Sequence, residues 1–134
     1  KENSIQTATI FDTQSSPILQ PQTKITIAVE NVSKSEDGSI KVSIKAFTSE
    51  ATTYSALEPR DFFELVDLNG QNQKPLSVSG QFNSMPPKSF ALGAINFKVS
   101  PETEKIILQI GPAGNIKFYE FNFPKKTYKE IILG

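Results

Sequence analysis

The densest group of residues able to do acid–base chemistry is Asp61, Glu64 and Asp67. A glycosidase needs two carboxyl groups flanking the scissile bond, less than about 10 Å apart. On a strand, Asp61 and Asp67 share a face but stand ~20 Å apart, with Glu64 on the other face. That spacing makes no carboxylate pair, and these acids suit strand ends and solvent faces. The same stretch closes with Asp67-Leu68-Asn69-Gly70, which resembles the opening of a calcium loop. Such a loop needs further oxygen ligands and a closing bidentate Glu. Gln71, Asn72, Gln73, Lys74 and Pro75 follow instead, so a plain hairpin turn is expected. Gly111-Pro112-Ala113-Gly114 lacks the Lys and Ser/Thr of a phosphate loop, and Pro112 removes a backbone donor. The chain has no histidine and no cysteine. Their absence removes the usual general base, thiolate catalysis, disulfides and zinc–thiolate sites. No catalytic residue, cofactor site or metal site is therefore assigned.

Aromatic residues are the remaining chemistry. Tyr119, Phe121 and Phe123 share one face of a strand, with Tyr128 beyond. They could stack on a sugar or a base. The opposite face offers only Ile116 and Phe118 before Glu120 and Asn122, so the aromatic face is weighed mainly as core. The tail Ile131-Ile132-Leu133 places three apolar residues in a row, to dock on the domain as an edge strand or to engage another chain. These seven residues are the candidates for contact with a partner or ligand.

The elements that must position them follow from composition and alternation. The chain has 134 residues, enough for one domain with its own core. Fourteen basic and fourteen acidic residues cancel, which argues against nucleic acid or an anionic membrane as the main partner. No apolar run approaches the ~20 residues of a membrane-spanning helix. Lys1 in place of Met suggests a trimmed chain that has lost an export signal or lipid-anchor segment. Asn31-Val32-Ser33 matches the N-glycosylation pattern but reads as a strand end meeting a polar turn.

Ile25, Ile27 and Val29 alternate with Thr26, Ala28 and Glu30, and Ile40, Val42, Ile44 and Ala46 alternate with Lys41, Ser43 and Lys45. Asp37-Gly38 between them predicts a hairpin. Asp61 to Gly70 reads as a central buried strand with Phe63 and Leu65 on one side, running into its turn. Ile10-Phe11 starts an edge strand, Thr13 to Gln22 is an exposed connection, and Tyr54 or Leu57 plugs one end of the core. Leu76 and Val78 make a weak strand. Phe90, Leu92, Ile95, Phe97 and Val99 make a stronger one, whose phase slip at Gly93 predicts a bulge. Ile106, Leu108 and Ile110 share a face before the aromatic strand, and no stretch has a helical period.

Asp37-Gly38, Phe63, Leu65, Asp67, Gly70, Gly93, Phe97 and Val99, in that order, resemble the pattern of a family of bacterial immunoglobulin-like, telokin-like domains. These occur in exported proteins and lipoproteins of unknown function, similar in fold to a secreted mycobacterial immunoprotective antigen. The resemblance covers residues 24–123. It implies an envelope or extracellular location and no catalysis, and it carries over no functional residues. The expectation is a single all-β, immunoglobulin-like sandwich of about seven to nine antiparallel strands. The alternative architecture is a small closed barrel. Its expected role is binding a protein partner or another copy of itself, with carbohydrate or small-ligand binding as the second reading.

Overall fold

The computed structural model describes residues 9–12, 18–21, 25–48, 51, 60, 62–66, 71–80, 82, 85–111 and 116–132, with side chains from residue 27 onward. The turn at 67–70, Asp61, Tyr54, Leu57, Leu133 and the glycine loop at 112–115 lie outside the described residues. Among the described residues there are ten strands: β1 Thr9–Asp12, β2 Ile18–Pro21, β3 Ile25–Lys34, β4 Ser39–Thr48, β5 Phe63–Leu65, β6 Ser77–Gly80, β7 Phe90–Lys98, β8 Lys105–Ile110, β9 Lys117–Asn122 and β10 Thr127–Ile131. They form two antiparallel sheets. One runs β1-β3-β4-β7-β6, with β2 also on β3, and the other runs β10-β9-β8-β5.

The segment expected as a connection, Thr13 to Gln22, contains β2. β1 and β2 lie one after the other along the free edge of β3, pairing residues 34–31 and 29–26 respectively. The break between them coincides with an irregularity inside β3. Val29 pairs with Ile44 and Asn31 with Ser43, which leaves Glu30 as the extra residue of a bulge. The bulge resets the alternation, so Ile27 and Val29 point inward before it and Val32 after it.

The hairpin expected at Asp37-Gly38 is present. Gly38 sits at φ +92°, and its carbonyl accepts a bond from the Val99 amide. A Cβ there would lie 1.9 Å from the Val99 carbonyl oxygen, so both conformation and space demand glycine. The Asp37 carboxylate accepts the Ser39 amide at 2.9 Å and fixes the turn.

The bulge expected at Gly93 is absent. β7 pairs with β4 without interruption from Phe90↔Phe47 to Lys98↔Ser39. The slip has another cause. Phe90 and Leu92 point outward, and Gly93 takes the inward position because the buried ring of Phe82 occupies that space. A Cβ on Gly93 would lie 2.5 Å from the Phe82 ring and 2.1 Å from the Ser79 carbonyl oxygen.

One core lies between the sheets. Ile27, Val42, Ile44, Ile95 and Phe97 of the larger sheet meet Phe63, Leu108, Ile110 and Phe121 of the smaller, all essentially without solvent exposure. The Phe63 strand, expected at the centre, is instead the edge of the smaller sheet, paired with β8 alone along its length. On its other side, Leu65 exchanges two backbone bonds with Gln73.

Candidate binding surface

The smaller sheet buries three of the seven candidate contact residues. Alternation along β9 turns Tyr119 and Phe121 inward, and Phe123 follows in the same sense; all three are buried. A ring in that position is closed to a sugar or base, so the stacking platform does not exist on this strand. Tyr128 is half-buried and stacks on Phe121 with centroids 5.5 Å apart. Burial pushes the Tyr119 hydroxyl above its ordinary pKa, and the nearby Glu130 carboxylate adds to that.

The tail is a strand of its own domain. β10 pairs with β9 from Thr127↔Asn122 to Ile131↔Phe118. The turn is fixed by Lys126 in the left-handed region and by the Asn122 side chain, which accepts the Lys125 amide. Ile131 is half-buried, whereas Ile132 is almost fully exposed.

The acids are dispersed. Glu64 lies on the outer face of β5, where Lys74 Nζ donates to its carboxylate at 2.9 Å and Asn72 Nδ2 at 3.1 Å. The lysine bond, helped by Asn72, holds the Glu64 carboxyl below its ordinary pKa. Among the described residues no three His, Cys, Asp or Glu side chains gather as a metal site would require.

Two surface features remain. The first is an open groove of about 670 Å³ beside the β7–β8 connection, with Val66, Val99 and Ile107 among its apolar walls and Lys98 and Lys105 among its polar ones. Its amide Gln73 is already engaged, donating to the Lys98 carbonyl at 2.9 Å and accepting the Lys98 amide at 3.2 Å. Lys98 itself faces Asp37 at 3.7 Å.

The second feature is the outer face of the larger sheet. Phe47 and Phe90 are opposite one another in the β4–β7 register, and Lys45 is opposite Leu92. Phe47 is 43% exposed, Phe90 56% and Leu92 57%, the last two in the part of β7 that pairs with β4 and lies beyond the end of β6. Lys45 Nζ lies 4.5 Å from the centroid of the Phe90 ring, a cation–π geometry. Together the three side chains present roughly 300 Å² of apolar surface, within the range of the largest patch on a typical monomer, which is often functional. Leu76 and Ile116 are also exposed, but on other elements.

None of these patch residues was among the seven candidates. The signal for Phe47 was available, because Lys41, Ser43, Lys45 and Phe47 share one parity and the polar three must face water. Phe90 and Leu92 were hidden by the assumption that apolar residues of a strand point inward. Comparison with protein-family models, curated proteins and solved structures gives no match to this chain.

Proposed function

We propose that this chain is a non-catalytic, immunoglobulin-like interaction module of the bacterial envelope or exterior, and that it binds a protein partner through the outer face of its larger sheet. The observation that carries the binding reading is the adjacent exposure of Phe47, Phe90 and Leu92 on β4 and β7. Outward aromatic positions on a sheet face are exposed apolar surface that a partner can cover.

The immunoglobulin-like reading draws on strand order. β3-β4-β7-β6 and β9-β8-β5 follow the order A-B-E-D and G-F-C of a constant-type immunoglobulin sandwich. β1 and β2 are then additions before the first strand, and β10 an addition after the last. The location draws on the family resemblance and on the absence of cysteine, which is ordinary for exported bacterial proteins.

The test is capture from a bacterial envelope extract with the wild-type chain and with Phe90→Asp/Leu92→Asp, each first shown to be folded by its unfolding transition. A protein captured by the wild type and lost with the double variant is expected. A protein retained equally by both would remove this face from the interaction.

A further inference from the structure

We propose that the Phe47–Phe90–Leu92 face receives a segment of a partner protein that carries apolar side chains flanked by carboxylates, and not a second copy of this chain. This inference depends on the interaction reading above and adds the chemistry of the partner.

Charge is the first argument. The chain as a whole is neutral, with fourteen residues of each sign. The sheets do not share that balance. The strands of the larger sheet carry Lys34, Lys41, Lys45 and Lys98 against two acids, Asp12 and Glu30, whereas those of the smaller sheet carry Lys105, Lys117 and Lys129 against Glu64, Glu120 and Glu130. Lys41 and Lys45 alternate with Ile40, Val42, Ile44 and Ala46 and so stand on the outer face with the aromatic patch. Lys45 is inside the patch, over the Phe90 ring. A carboxylate arriving there meets a cation already partly withdrawn from water by the ring, which strengthens the attraction.

Symmetry and size are the second. In a two-fold dimer the same patch lies on both sides of the contact. Such a contact would bring Lys41 and Lys45 of both copies, four cations, into one apolar interface, where like charges are least screened. The patch of roughly 300 Å² also falls well short of the ~800 Å² per partner that a stable dimer buries. It suits one or two apolar side chains of an extended or helical peptide.

The experiment uses the full chain, isotope-labelled for amide NMR. It is titrated with a synthetic peptide of about ten residues in which Glu alternates with Leu and Phe, and with the same peptide carrying Lys in place of Glu. Selective shifts at residues 45–47 and 90–92 with the acidic peptide, weakened several-fold by Lys45→Glu and by added salt, are the expected result. Equal binding of both peptides at this face would overturn the acidic partner and leave the interaction face standing. Sedimentation of the protein alone to a dimer that Phe90→Asp dissolves would likewise replace the partner with a second copy. Shifts at this face with phosphatidylglycerol vesicles and none with the peptide would assign the lysines to a membrane and overturn the proposal. No shift at this face with any probe also overturns it, and the capture experiment then decides independently whether the face binds a protein at all.

Discussion

An added methyl group at Gly93 has nowhere to go. One of its two obstacles, the Ser79 carbonyl oxygen, is backbone of the neighbouring strand, so a rotamer change in Phe82 cannot relieve the contact. Gly93→Ala is expected to destabilise the protein by about 1–3 kcal/mol, read from the midpoint of urea unfolding, and Phe82→Leu should not rescue it. Titration supplies two further expectations at this scale. Asp37 is held below its ordinary pKa first by the Ser39 amide, and Glu64 by Lys74. A lowered folded-state value means stability that is present above the ordinary carboxylate range and is lost as the pH falls through the lowered value. Stability should therefore decline on acidification below about pH 4, and Glu64→Gln should make that decline shallower. Tyr119 shifts the other way. Its contribution is intact below the ordinary tyrosine value of about 10 and is lost as the pH rises through the raised one. Tyr119→Phe should reduce the loss of stability between neutral and strongly alkaline solution, measured by denaturant unfolding at both.

At the scale of elements, β10 changes what the tail means. A chain ending at Pro124 loses the ladder to β9 and uncovers Phe121, on which Tyr128 stacks. The expected cost is roughly 2–4 kcal/mol, seen as a lower urea midpoint with a single transition; an unchanged midpoint would show that β10 is an ornament. Alternation made β3, β4, β8 and β9 readable in the sequence, because each has one face in the core and a clear period of two. The elements that escaped lack that signal. β2 is four residues ending in proline, tolerable only because it lies on an edge. β5 is three residues long, so its apolar character said that it was buried and nothing about its place in the sheet. In β7 the misleading pattern came from Phe82, a residue of the preceding connection, whose ring fills an inward site that its own strand leaves empty. A filler from another segment is invisible to periodicity.

At the scale of the molecule, the surface divides by sheet. The strands of the smaller sheet carry equal numbers of lysine and glutamate, and Tyr119 and Phe121 are turned inward. The larger sheet combines a surplus of lysine with outward phenylalanine. A reading of whole-chain charge, which is zero, averages these faces away; the separation becomes visible once strand order assigns each residue to its sheet. Because both rings are about half exposed, Phe47→Ser/Phe90→Ser is expected to cost about 1–3 kcal/mol in urea unfolding and to leave the fold intact. Solubility at high concentration should rise in the same variant, checked by light scattering.

Gln73 gives the two sheets a shared seam. Its backbone exchanges two bonds with Leu65 of the smaller sheet, while its side-chain amide does the same with Lys98 at the end of β7. One amide thus stands in for a peptide unit, and hydrogen bonding runs unbroken from β10 through β9, β8 and β5, across Gln73, and on through β7, β4 and β3 to β1. The two sheets are in this sense one hydrogen-bonded ribbon joined at Gln73, with β6 running beside it on β7. Gln73→Leu would cut the ribbon at its narrowest point. The Lys98 amide should then exchange its hydrogen faster while the amides at the centre of β4 keep their protection, the signature of two leaves parting along a spine.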